Sequence, residues 1–159
     1  IDHITLDVPP NRIKHFLNQP VLVDDKQPRS LFSIPYGIAN ALMRRSVEIE
    51  HYTDDFIRVP ELLAMTEKVT LVPSRPLGNN QASQLTVHMK NGKRYSTGRD
   101  VPLGWAKNPV TADDVRSKYW RNIAFAGTVS EANARRALAM LDDLEGVDDV
   151  GMVATLLTA

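Results

Sequence analysis

Residues 31–43 read LFSIPYGIANALM, and the reading of this run decides the fold. The run is almost wholly apolar and long enough for about three helical turns. A helix that is apolar on every side is a buried one, so the sequence predicts a central helix here. Pro35 falls near its start, where a missing amide hydrogen is tolerated. The proline ring also restricts the residue before it, which keeps Ile34 out of the helix, so the predicted helix covers residues 35–44. Tyr36 then sits in the first turn and carries a phenol into a dry place, where the hydroxyl needs a partner. A backbone carbonyl would make it a core tyrosine. Equally, the unpaired first-turn amides and the positive end of the helix dipole suit a carboxylate ligand.

Working outward, Ile4, Leu6 and Val8 alternate with Thr5 and Asp7 and predict a strand that Pro9-Pro10 ends. A short helix is expected at 12–17, a loop at 21–29, short amphipathic helical segments at 54–56 and 60–67, and a β-branched strand at 69–72. Residues 73–82 are rich in proline, glycine and asparagine and read as a loop. Leu85, Val87 and Met89 alternate with Thr86 and His88, and Asn91-Gly92 offers the positive-φ pair of a tight hairpin before a return strand at 93–97. The expected class is therefore α+β: a small antiparallel sheet packed on the buried helix, followed by C-terminal helices. After Gly104 the pattern turns helical. Thr111 and Asp114 form a capping box ahead of Val115, Tyr119 and Ile123. Thr128 and Glu131 repeat the cap before Ala134, Leu138 and Leu141, and Asp148 opens a last helix with Val150, Val153, Ala154 and Leu157.

At 159 residues and 43% hydrophobic, the chain can bury a core of ordinary size. Nineteen basic and nineteen acidic residues cancel, which gives no reason to expect nucleic acid or an anionic membrane as a partner. The absence of cysteine removes disulfides, thiolate nucleophiles and sulfur metal ligands. No run is long enough to span a membrane and no signal pattern opens the chain, so a soluble, cytoplasmic protein is expected. Because the first residues already alternate as a strand, the chain reads as part of something longer.

Most other chemistry-bearing residues have simple structural readings. His3, His15, His51 and His88 lack metal-site spacing, so no metal is expected, and His88 should face outward. Arg44-Arg45 suits the negative end of the helix dipole, Asp113-Asp114 suits a helix start, and Arg75 and Lys107 suit solvated loops. Gly98 and Gly104 form no phosphate-binding pattern.

The run at 31–43 resembles the FSxPYxxAxAL segment of the MmgE/PrpD family, whose members include 2-methylcitrate dehydratase, cis-aconitate decarboxylase and iminodisuccinate epimerase. Further matches keep the family's order: FIRVPE at 56–61, KVTLV at 68–72, NGK at 91–93, Gly104, NPVT at 108–111, Lys118-Tyr119 and LDDLE at 141–145. The resemblance implies a C-terminal lid region. Residues 1–108 would be the α+β lid, and 109–159 the helices that return to an N-terminal helical domain missing from this chain. It further implies a homodimer and a small polycarboxylate substrate, handled by proton abstraction and elimination with no cofactor. Most of the family's histidine, lysine and aspartate groups lie upstream of the lid. What this chain can offer is Tyr36 as a catalytic and substrate-binding residue, with Ser33 as a neighbouring substrate-binding hydroxyl. Where 2-methylcitrate dehydratases tend to read Asp-His, this chain has Leu31-Phe32, which loses polar contacts a tricarboxylate would use. It therefore reads as a general family member, and the fragment alone is expected to be inactive. A second possibility of another class is a non-catalytic lid-like module for dimerisation or interaction.

Overall fold

The computed structural model describes residues 1–13, 29–74 and 82–158. The opening alternation becomes strand β1, His3–Val8, with Ile4 and Val8 buried. Pro9 ends it, and Pro10–Ile13 form a single turn, α1. The remainder of the helix expected at 12–17, the loop at 21–28 and most of the loop at 73–82 lie outside the described residues.

A 3-10 turn, Arg29–Phe32, leads into α2, Ile34–Arg44. The helix begins one residue earlier than expected. Ser33 has extended backbone and its Oγ accepts the Tyr36 amide at 3.2 Å, which makes it the N-cap. This bond satisfies a first-turn donor and outweighs the restriction that Pro35 places on Ile34. Nor is the run buried on every side. Ile34, Ile38 and Leu42 pack on the sheet, Pro35, Tyr36, Ala39 and Asn40 are buried, but Leu31, Phe32 and Met43 are 53%, 50% and 43% exposed. Among the described residues the helix packs against the sheet and against the helical segment Pro60–Thr66, and within it only Ala41 and Met43 are exposed.

At the far end of α2, Arg45 takes φ 60°, the left-handed position usually given to glycine, and its amide donates to the Ala41 carbonyl at 3.1 Å. The Arg45 side chain is exposed, so nothing offsets the strain at Cβ. Arg45→Gly should therefore raise stability by about 0.5–1 kcal/mol. A thermal melt should show a gain of a few degrees for glycine and a loss for Arg45→Val; a loss with glycine would refute the strained cap.

Beyond this cap come a 3-10 turn, Ile49–Tyr52, then α3, Asp54–Ile57, and α4, Pro60–Thr66. Strand β2, Val69–Pro73, follows, then β3, Ser83–His88, and β4, Arg94–Arg99. The order across the sheet is β2-β1-β3-β4. The expected antiparallel pairing holds for β1 with β3 and for β3 with β4, but β1 and β2 run parallel, from Ile4 opposite Val69 to Val8 opposite Pro73. The sheet is thus mixed. A parallel neighbour needs a long crossover, and the helices between residues 29 and 66 supply it. The hairpin turn also differs in detail. The Gly92 amide donates to the Met89 carbonyl at 2.9 Å and Gly92 alone has positive φ, 81°, so this is a three-residue loop and not an Asn-Gly pair.

Among the described residues of this first unit, Ile1–Pro109, two clusters form the core. Ile4, Val8, Val69 and Leu71 lie under α2, and Tyr36, Ala39, Ile57 and Leu62 fill the space between α2 and the segment from Tyr52 to Met65.

The second unit, Val110–Ala159, is helical. Its first helix, α5, spans Ala112–Ala126 and starts with the expected capping box: the Thr111 Oγ accepts the Asp114 amide, and the Asp114 carboxylate accepts the Thr111 amide. Next, α6, Glu131–Asp142, is capped by Ser130 instead of Thr128, the Ser130 hydroxyl lying three residues before the Asn133 amide that it accepts. A 3-10 turn, Leu144–Gly146, precedes α7, Gly151–Leu157. The core here is small: Ala134, Ala137, Val153 and Leu156 are buried, and α5 contributes no buried residue. The fold class is α+β. Among the described residues no helix is long and apolar enough to cross a membrane.

Candidate functional site

Helical spacing places Ser33, Tyr36, Asn40 and Arg44, at i, i+3, i+7 and i+11, along one side of α2. Each is engaged. Tyr36 is fully buried, and its hydroxyl donates to the His51 carbonyl at 2.5 Å. Its ring lies 5.6 Å from that of Tyr52, tilted by 57°. Burial, then the neighbouring Tyr36, pushes the Tyr52 phenol above its usual range.

Asn40 is also fully buried. Its side-chain nitrogen donates to the Tyr36 carbonyl at 3.3 Å, and its oxygen accepts from Arg44 Nη1 at 3.0 Å. The same guanidinium donates through Nη2 to the Phe56 carbonyl at 3.3 Å and lies 4.6 Å from the centre of the Phe56 ring. Arg44 thus ties the end of α2 to α3 in addition to suiting the helix dipole. His51 is buried, and its Nδ1 accepts the Glu48 amide at 3.1 Å. An accepting Nδ1 puts the proton of the neutral ring on Nε2.

The stripe is therefore a chain of internal bonds. The Tyr36 proton belongs to the His51 carbonyl, and the Ser33 oxygen serves the Tyr36 amide as a helix cap. For the Tyr36 hydroxyl to donate to a substrate, its bond to the His51 carbonyl must be exchanged, whereas the Ser33 hydroxyl accepts the cap bond and keeps its own proton. On this stripe, Asn40 is a buried polar residue that sequence reading missed. The signal was its place seven residues after Ser33 and four after Tyr36, inside a run read as almost wholly apolar.

The other candidates separate. His15 and Arg75 lie outside the described residues, and Lys107 is exposed. Asp114 is occupied in its capping box, where hydrogen bonds from the Thr111 hydroxyl and amide hold its carboxyl below the usual range. His3 and His88 come together: they are paired across β1 and β3 with rings stacked 4.0 Å apart at 13°. His88 does lie on the more open side of the sheet, but no spacing rule could show its partner before the strand pairing was known. Among the described residues no group of three histidine, cysteine, aspartate or glutamate side chains is arranged to hold a metal ion.

A four-stranded mixed sheet backed by a helix with a buried polar stripe, continuing into a thinly packed helical segment, defines an α+β domain that ends in helices. The model of the MmgE/PrpD C-terminal domain matches residues 1–145, and the chain belongs to the MmgE/PrpD family, in its C-terminal region. That family includes dehydratases and related enzymes. No curated protein matches the chain.

Proposed function

We propose that this chain is the C-terminal part of an MmgE/PrpD lyase or isomerase that acts on a small di- or tricarboxylate by proton abstraction and elimination, in the manner of 2-methylcitrate dehydratase. The observation that carries this reading is the family match over residues 1–145. Such chemistry needs a general base, cationic groups for the carboxylates and an acid for the leaving group. Along the α2 stripe the Tyr36 proton and the Asn40 amide are engaged within the protein, and the reacting groups are assigned to an N-terminal helical domain. Residues 1–108 serve as its lid and 109–159 rejoin it. The thin core of the second unit supports this assignment. Val115, Phe125 and Val150 are 55%, 45% and 64% exposed, as suits helices that another domain covers.

The test is an assay of the purified 159-residue chain against 2-methylcitrate, cis-aconitate and iminodisuccinate, alone and within a protein that carries the upstream domain. The chain alone should give no turnover above background, and the extended protein should turn over one of the three. Enzymatic turnover by the chain alone would overturn the division of labour. An inactive extended protein would favour the second reading, a lid-like module for homodimerisation or interaction. The internal bond of the Tyr36 hydroxyl speaks for that reading.

A further inference from the structure

Apart from the α2 stripe, the first unit gathers positive charge at one end of its sheet. The register sets His3 opposite His88 and His88 opposite Arg94, so the three side chains form a row on one face. The two imidazoles stack 4.0 Å apart, and the Asp2 carboxylate lies 2.9 Å from His3 Nδ1. With Gly92 and Lys93 of the hairpin turn, these residues line a cavity of about 180 Å³.

The charges here are lopsided. Lys93 and Arg94 line the cavity as cations, against one carboxylate, Asp2, that is already bonded to His3. Lys90 and Lys68 add positive charge that stabilises the ionised Asp2. Two parallel rings do not converge their nitrogens on one point, which argues against a shared metal ion. An anion needs no such convergence.

We propose that this cavity binds a small oxyanion, a phosphate or a carboxylate, and takes it up together with a proton on the histidine stack. The proton balance of His88 is consistent with this. Partial burial first, then the neighbouring His3 and Arg94, hold its pKa below the usual imidazole range, with Asp2 opposing. The potential that disfavours a second proton favours an anion, and linkage makes the effect reciprocal: the bound anion raises the pKa of His88, and acid tightens the anion. This site does not depend on the reaction proposed above.

The experiment is a titration of the full chain with inorganic phosphate, at ionic strength held constant with chloride, following the imidazole Cε1 proton resonances at pH 7.5 and pH 6.0. His3 and His88 should both shift along a saturating curve, with affinity several-fold higher at pH 6.0, and phosphate should raise the titration midpoint of His88. Arg94→Gln should weaken binding about tenfold through loss of a charge-assisted bond, with an amide spectrum that shows the sheet intact. Lys93→Gln provides the same comparison if Arg94→Gln unfolds. A parallel titration with citrate separates a preference for phosphate from one for carboxylate. A shift that grows linearly, that chloride reproduces, that ignores pH, or that survives both substitutions would overturn the site.

Discussion

Leu62→Ala is expected to destabilise the chain by about 2–5 kcal/mol. Leu62 is only 1% exposed and packs in one cluster with Tyr36, Ala39 and Ile57, while Tyr52, Val59 and Met65 close the sides. Truncation removes apolar burial and leaves a cavity, and collapse is resisted because Tyr36 is pinned at both ends: its amide by Ser33 and its hydroxyl by the His51 carbonyl. Of the two costs, the cavity is the one that varies with how far the walls can move. Urea unfolding should show a lower midpoint at an unchanged m-value. Because the chain forms two units, native-state hydrogen exchange supplies the local check: amides of α2 and α4 should lose protection, and those of α6 and α7 should not. A loss below about 1 kcal/mol would mean that this cluster is loose enough to refill the space.

What the sequence made legible was local. Period-two alternation marks β1 and β3 whatever their partners, and a capping box is written within four residues, so Thr111 and Asp114 could be read directly. Strand direction is a different matter. Ile4, Leu6 and Val8 alternate identically whether β2 lies parallel or antiparallel to them, and only the helical crossover decides it. The buried helix was legible from its composition and its proline, but not its divided surface. Asn40 counts as one small polar residue in an apolar run until the helix is seen between the sheet and residues 49–66. Choosing between Thr128 and Ser130 as a cap turns on a shift of two residues, too fine for hydrophobic periodicity. The meeting of His3 with His88 depends on strand register, which no local rule contains.

Tyr36→Phe should lower stability by about 1–3 kcal/mol, the cost of leaving a buried carbonyl without its partner. The substitution keeps the ring, its contacts with Leu62 and Ile57 and its approach to Tyr52, and removes only the hydroxyl that reaches the His51 carbonyl at 2.5 Å. That bond joins the first turn of α2 to the 3-10 turn Ile49–Tyr52, so exchange should quicken most at residues 49–52. In a protein that carries the upstream domain, turnover per folded molecule should be nearly unchanged, because the hydroxyl proton is already committed within the lid. A substrate-facing tyrosine makes the opposite forecast. If the hydroxyl leaves His51 to donate to charge developing on an enolate, kcat falls roughly ten- to a thousandfold while the melting temperature hardly moves. Measured on the same variant, a lost melting temperature with retained kcat identifies Tyr36 as the pin that shapes the lid. A retained melting temperature with lost kcat would instead return it to the reaction.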